Sequence, residues 1–413
     1  MLRELGEMKN KVETTSTKSL ITPISCTDQT AAINANSTCF PVANPLESFW
    51  QTETHPLSDH RSTAELPVET DIVIIGAGFA GVSTAHHLVR EFKGDLETAP
   101  SITILEARAA CSGATGRNGG HLRPDFYGHI PKYIEQSGPR AGAEIAEFEI
   151  ANLRALKRFI EEEDIDCDFT LARSIDVCGV KGVQSRVPLS LPGHYGPFKL
   201  VMHLVQKLLE SKFVNLQTYT PVHLVQSDKT GVFFVNTARG HVHTGKVIYA
   251  NNAYVSGTLP EYAKNTIIPC KGICCRIAVP DGTMPPLLNN SYINRANDHT
   301  LSYLVPRPDG SIVVGGAAAR FKSFREQWYD NVDDGCLIDA AKAYYDNYML
   351  RTYLGWEDTG AKVNTIWTGV MGYSYDSNPH IGQVPSKESE FIIAGFNGHG
   401  MPVIWLAAQE LAP

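Results

Sequence analysis

The stretch DIVIIGAGFAGVSTAHHLV, Asp71–Val89, decides the fold. Asp71–Ile75 is an almost continuous apolar run that leads into glycines, the pattern of a buried parallel strand. Beyond the glycines, Ala80, Val82, Ala85, Leu88, Val89 and Phe92 recur at helical spacing. A second apolar run, SITILEA (Ser101–Ala107), follows after a polar link, KGDLETAP, that belongs on the surface. Strand, glycine turn, helix and strand make a βαβ unit. Gly76, Gly78 and Gly81 fill the pattern G-x-G-x-x-G. Such glycines permit the tight turn, the close approach of a pyrophosphate and close helix–sheet packing. The positive end of the helix then faces the phosphates. Glu106 ends the second strand, where a ribose needs an acceptor for its hydroxyl pair. These features read as the adenine half of a dinucleotide site.

The 413 residues suffice for two or three domains, and 43% hydrophobic with 19% charged residues suits a protein with a sizeable core. A net charge of −8 argues against a nucleic-acid partner. No run reaches the roughly 18 apolar residues of a membrane span. The N-terminus is charged and lacks the apolar core of a secretory signal, so the expected location is cytoplasmic. The nine Cys read as reduced thiols. Cys270, Cys274 and Cys275 cluster without zinc-ligand spacing, and no metal is expected. Residues 1–44 are expected to be a flexible tail, and 45–66 an extended arm anchored by Phe49, Trp50, Leu57 and His60. Residues 140–163 carry a strong helical period, and the segments from Asp168 to Val180, Phe213 to Val255 and Asn294 to Ala319 read as strands and hairpins.

The choice between NAD and FAD turns on EARAACSGATGRNGGHLRPD, Glu106–Asp125. A second glycine-rich stretch directly after the acidic strand end is not needed for NAD and suits a flavin, whose ribityl chain and ring extend past the pyrophosphate. At this point the chain resembles the D-amino-acid oxidase and glycine oxidase superfamily of FAD-dependent oxidoreductases. SGATGRNGGH looks most like its gamma-glutamylputrescine oxidoreductase-like branch, including the fungal members. The resemblance covers most of residues 45–412. It includes KVIYANNAYVSGTLP (Lys246–Pro260), IPCKGICCRI, YLVPRPDGSIVVGG (Tyr303–Gly316), WTGVMGYSYDSNPHIGQVP (Trp367–Pro385) and FIIAGFNGHGMPVIWLAAQELA (Phe391–Ala412). Asn251 and Asn252 stand where the family usually has Ala and Gly.

The resemblance implies an α/β fold, in which a GR2-type Rossmann-like FAD-binding domain is interleaved with an antiparallel β-sheet substrate domain. Residues 67–135, 200–268 and 360–413 are expected in the first, and 136–199 and 269–359 in the second. It implies FAD contacts from Gly76, Gly78, Phe79, Ala80, Gly81, Glu106, Ala107 and Arg108. Ser112, Gly113, Ala114, Thr115, Arg117, Asn118, Gly119, Gly120 and His121 follow in the second glycine stretch. Val222, Ala250, Asn251, Gly372, Gly395, Asn397, Gly398, His399, Gly400 and Met401 complete the set. The glycine turn at Asn397–Met401 and the helix started by Pro402 aim a second helix N-terminus at the flavin. Relatives run further beyond this helix, so ending at Pro413 is expected to weaken flavin retention. Some relatives attach FAD through a Cys that this chain lacks between Asn364 and Asn378; others use a His, and His121 sits in a different local motif. Non-covalent FAD is therefore expected.

The implied chemistry is oxidation of a C–N bond in an amine or amino acid, with hydride passing to flavin N5 and O2 or another acceptor reoxidising it. Tyr303, Trp367 and His399 are the catalytic candidates, and Tyr254, Arg307 and Tyr373 join them as substrate-site candidates. Arg307 beside its PDG turn reads either as a carboxylate partner or as a solvated hairpin residue. Two alternatives stay open: a tailoring oxidoreductase acting on a non-amine metabolite, and a non-catalytic flavin-binding remnant.

Overall fold

The computed structural model describes residues 39–92, 99–126, 128–180, 183–189, 193–262, 266–296 and 300–411. Most of the expected tail, residues 1–38, and most of the link after the first helix lie outside them.

The opening stretch forms the strand Glu69–Ile75 and the helix Phe79–Glu91, followed by the strand Ile102–Leu105. The first strand is central in an eight-stranded sheet and pairs in parallel with Ile102–Leu105 on one side and Gly240–Tyr249 on the other. Val214–Gln217 and Glu390–Ala394 extend the parallel part outward. His380–Gln383 joins one edge antiparallel, and Val222–Ser227 with Phe233–Thr237 form an antiparallel ribbon against Gly240–Tyr249. The parallel strands are apolar on both faces because both faces are covered. On one face, Phe79, Leu88, Leu156, Phe159, Leu204 and Trp405 pack over Ile72, Ile74, Ile102 and Ile104. On the other, Val73, Ile75 and Leu105 pack under Val235, Val247 and Leu259.

The second sheet has seven strands and is antiparallel except where Ser174–Val180 runs parallel to Ser291–Arg295. This is the α/β fold expected, a dinucleotide-type sheet beside a mainly antiparallel one. The chain alternates between them. Lys362–Ser374, grouped by sequence with the FAD-binding segments, pairs along its length with Ile267–Ala278 in the second sheet. A short three-stranded sheet of His121–Leu122, Gly193–His194 and Thr170–Leu171 lies on neither.

The helical period read over 140–163 is the second part of Ile130–Glu162. Gly138 (φ 87°) breaks that element, and Pro139 stands at the start of the second part, where a missing N–H costs nothing. Leu153, Leu156, Phe159 and Ile160 of this helix join the core over the first sheet, although the sequence grouped it with the substrate domain.

His87 is 4% exposed, with its ring 4.5 Å from that of Trp405. Burial lowers its pKa to about 4, and the Arg90 charge adds to the shift, against a raising contact with the Trp405 backbone. His194, also 4% exposed, is lowered to about 4 by burial and by Arg307. Both rings are neutral in the folded chain, whereas the unfolded chain takes up their protons near pH 6.5. Stability is therefore fully present above that pH and falls as pH drops toward 4, by about 3 kcal/mol for each His. The urea midpoint should fall steeply over this window, and less steeply in H87F. A midpoint that is flat from pH 6.5 to 4, or as steep in H87F, contradicts the assignment.

Candidate active site

The glycine turn is built as the sequence spacing requires. Gly76 has φ 111°, and a Cβ there would stand 2.9 Å from the Ala250 carbonyl oxygen. A Cβ on Gly81 would stand 2.0 Å from the Gly76 oxygen, so that glycine serves the packing of helix on strand. Gly78 differs: its Cβ position meets only Thr115 Oγ1, at 3.3 Å. Gly78 is also the N-cap of the helix and gives it no side-chain cap, so that, apart from the Phe79 N–H, the first-turn N–H groups are available to an anion.

Glu106 stands at the end of its strand. Its Oε2 accepts from the Ala77 N–H at 2.8 Å and its Oε1 from the Arg108 N–H at 3.0 Å. Cys111 N–H donates to the Ala77 carbonyl, and Thr115 Oγ1 accepts from the Phe79 N–H. The second glycine stretch thus folds over the first turn. Gly113 is open to space, and Ala114–Arg117 is a single 3-10 turn. Ala80 is buried against the core, and Ala107 lies in the bend after Glu106. Val222 is also a core side chain, so only its backbone is left for a ligand.

The cradle continues to the C-terminal turn. Asn118 Nδ2 approaches Met401 Sδ at 3.6 Å, and its Oδ1 accepts from the Gly120 N–H. Asn252 Oδ1 accepts from the Gly395 N–H at 2.9 Å, and Asn397 N–H donates to the Gly372 carbonyl. Gly395, Asn397 and Gly398 all have positive φ, and Gly400 precedes the helix Ile404–Leu411. The segments 76–81, 106–121, 250–252, 372 and 395–401 therefore meet. A separate cleft of about 490 Å³ opens at the amino ends of the parallel strands, near Glu69, Ser101 and Lys212; it holds none of these residues.

The predicted side chains divide into those that face the cradle and those that build it. Arg108 donates to both carboxylate oxygens of Asp334, at 2.9 and 3.0 Å. Arg117 lies 3.3 Å from the same carboxylate and also donates to the carbonyls of Ser112, Thr368 and Leu46. Both guanidinium groups are committed to anchoring the second glycine stretch. Trp367 is fully buried, and its Nε1 donates to the Arg117 carbonyl at 2.8 Å. It is a packing residue under the cradle, because its strand turns this position into the shared core. Tyr254 lies beside the same Arg and Asp charges, and burial pushes its phenol up.

Tyr303 faces the cradle. A Cβ on Gly119 would stand 2.2 Å from its ring, and one on Gly315 2.1 Å from its hydroxyl oxygen. Its hydroxyl lies 2.9 Å from Cys274 Sγ, and its ring centroid 5.7 Å from that of His121. Burial raises its pKa well above the ordinary tyrosine value, so it stays a neutral phenol. Tyr373 stands at the C-terminal turn, its hydroxyl 3.0 Å from the Gly398 Cβ position. His399 lies on the turn as expected, but its Nε2 is 3.0 Å from Oε1 of the buried Glu149. Its ring is 4.4 Å from that of His129, whose Nδ1 meets Asp125. Burial pushes the Asp125 carboxyl up, but its His129 hydrogen bond and the His129, His399 and Arg123 charges outweigh this and hold it well below the usual range.

Arg307 is not the solvated hairpin residue that its PDG turn suggests. Its side chain is 5% exposed, with Nη2 2.6 Å from Asp168 Oδ2 and the guanidinium 4.8 Å from the Trp50 ring centre. Trp50 is itself fixed, with its Nε1 donating to the Asn118 carbonyl at 2.6 Å. Sequence reading singled out Trp50 only as an anchor and passed over Asp334, Asp168, Glu149 and His194. None of the four lies in a local motif.

The cradle fits FAD on the evidence of its own polar atoms. Ser112 Oγ, Asn251 Oδ1 and His121 Nε2 are buried without a protein partner. Buried polar atoms are ordinarily satisfied, and these three stand in the segments that meet around the glycine turn, where a bound dinucleotide can supply their partners. Among the described residues no group of His, Cys, Asp and Glu is arranged to hold a metal, and no helix is long and apolar enough to cross a membrane.

Comparison with known proteins agrees. Gamma-glutamylputrescine oxidoreductase of Escherichia coli is 21% identical over 385 residues, covering 84% of this chain and 83% of that protein. Glycine oxidase of Bacillus licheniformis is 21% identical over 352 residues, covering 80% and 89%. The crystal structure of glycine oxidase from Geobacillus kaustophilus superposes with a TM-score of 0.60 at 16% identity, covering 83% of this chain and 94% of that one. The model of the DAO family, FAD dependent oxidoreductase, matches residues 71–188 and 189–413. The chain belongs to this family of FAD-dependent oxidoreductases, and FAD is its cofactor.

Proposed function

We propose that this chain oxidises a C–N bond of an amine or amino acid, and that O2 or another acceptor takes the electrons onward. The observation that carries the reading is the cradle's set of unpartnered polar atoms on Ser112, Asn251 and His121, the last beside the buried phenol of Tyr303. Two relatives named for nitrogen-bearing compounds, gamma-glutamylputrescine and glycine, support the substrate class. Bound FAD supplies the hydride acceptor.

The chain's own residues supply position and exclusion of water. Tyr303, wedged between Gly119 and Gly315, forms a rigid wall next to the second glycine stretch. As a neutral phenol it can hold a hydrogen bond but cannot serve as a base. His399 Nε2 meets the buried Glu149 carboxylate, which fixes the orientation of the ring on the C-terminal turn. An amine that arrives neutral needs no further base. Loss of hydride from its carbon yields an iminium ion, and addition of water then releases a carbonyl compound and the protonated amine or ammonium.

The test is stoichiometric. Purified protein is incubated in air with a panel of amines and amino acids. One carbonyl product and one released amine or ammonia are expected for each substrate consumed. Oxidised product that retains its nitrogen on the same carbon would place the chemistry at another bond.

A further inference from the structure

The arm that precedes the first strand lies along the second glycine stretch, although it stands before residue 71, where the family match begins. Arg108 Nη1 donates to the Val42 carbonyl and Arg117 Nη2 to the Leu46 carbonyl, at 3.2 and 2.6 Å. The Leu46 N–H donates to the backbone carbonyl of Asp334, and the Ala110 N–H to the Ser58 carbonyl. Between these ties, Ser48 Oγ donates to the Gly116 carbonyl at 2.5 Å and Trp50 Nε1 to the Asn118 carbonyl at 2.6 Å.

Three successive carbonyls of the glycine stretch thus each take a side-chain donor: Gly116 from Ser48, Arg117 from Trp367 and Asn118 from Trp50. Two of these donors belong to the arm. The stretch from Ser112 to Gly120 has only the single 3-10 turn Ala114–Arg117 and no sheet ladder, so its backbone groups depend on partners from elsewhere. Ser48 is fully buried and Trp50 is 6% exposed, which keeps water from replacing either donor.

Packing ties the same pieces together. A Cβ on Gly120 (φ 79°) would stand 3.0 Å from the Trp50 ring, and one on Gly119 2.2 Å from the Tyr303 ring. The two glycines are therefore held between the arm and Tyr303. The arm is itself fixed against the second sheet, where the Arg276 and Arg307 guanidinium groups each lie 4.8 Å from the ring centres of Phe49 and Trp50.

We infer that Ser48 and Trp50 are positioning residues of the flavin site: the docked arm gives the second glycine stretch its binding shape, and bound FAD holds the arm down in return. Such coupling is reciprocal by thermodynamic necessity. The inference concerns the cofactor alone and stands whether or not a C–N bond is what the flavin oxidises.

The first test needs no variant. Amide hydrogen exchange is compared in the full chain with and without FAD. Exchange over residues 46–52 should slow at least about fivefold with FAD, together with residues 112–120. Slowing in 112–120 alone overturns the inference. The second test follows release of FAD from the diluted holoenzyme by the fluorescence of the freed flavin. W50F keeps an aromatic ring and removes the N–H, and S48A removes the hydroxyl. Each should speed release at least about fivefold, the size of one lost hydrogen bond. L57A thins an apolar anchor of the same arm and leaves both hydrogen bonds in place. It should lower the Tm yet release FAD within about twofold of the unaltered rate. Unaltered release from S48A and W50F overturns the inference. Release from L57A as fast as from S48A also overturns it, because looseness of the arm rather than its two donors would then set retention. If W50F fails to fold, S48A and the exchange experiment decide.

Discussion

Gly78→Val should leave a folded chain that has lost its flavin. A side chain at this position meets only Thr115 Oγ1, at 3.3 Å, so the protein itself has room for the first carbon. The space it enters lies at the N-terminus of the helix Phe79–Glu91, where the pyrophosphate must approach. The ratio of flavin to protein absorbance in the purified variant should drop at least about tenfold, with the far-ultraviolet circular dichroism unchanged; a loss of this size corresponds to about 1.4 kcal/mol or more of binding. Gly81→Val makes the contrast. Its Cβ would stand 2.0 Å from the Gly76 carbonyl oxygen and 3.2 Å from Ile74, so it forces helix from strand and should fail to give soluble folded protein. If G78V purifies yellow at full stoichiometry, the glycine turn does not hold the cofactor.

Asp334→Ala should be the most destabilising single change among the charged residues of the cradle. Asp334 is fully buried and faces both Arg108 and Arg117. Removing it leaves two guanidinium groups in the interior without their counter-charge, a type of loss that costs about 3–5 kcal/mol. It also frees the second glycine stretch, whose Ser112 carbonyl both arginines hold. Flavin content should therefore fall together with the urea midpoint. Asp334→Asn keeps the shape and loses the charge, and should fall between. A midpoint for D334A that differs by less than about 1 kcal/mol would show that the ion cluster does not anchor the cradle.

The contrast between these two sites shows what the sequence could reveal. Gly78 was legible because its meaning is local: three glycines between an apolar run and a helical period allow few structures. The same holds for Glu106, fixed by its place at a strand end. Arg108 and Arg117 lie in the same glycine-rich stretch and were read as cofactor contacts. The side chains of both meet Asp334, 226 residues from Arg108, in a segment with no periodic pattern. Arg307 was left between a carboxylate partner and a solvated hairpin residue for a similar reason, since a PDG turn suggests exposure and Asp168 lies 139 residues away. Trp367 was named a catalytic candidate, and its buried face of the strand is set by pairing with Ile267–Ala278, where it stands opposite Cys274. A one-residue change of register would turn it outward. His399 was placed on its turn correctly by the flanking glycines, but its tie to Glu149, 250 residues earlier, left no local trace.

The most direct measurement is anaerobic. The purified chain is brought under nitrogen, its visible spectrum recorded, and a panel of amines and amino acids added one at a time. Oxidised-flavin bands are expected at about 375 and 450 nm, with bleaching of the longer band by at least one amine before air is readmitted. A colourless protein in its flavin-supplemented form, or a yellow one that no amine bleaches while a compound without nitrogen does, contradicts it.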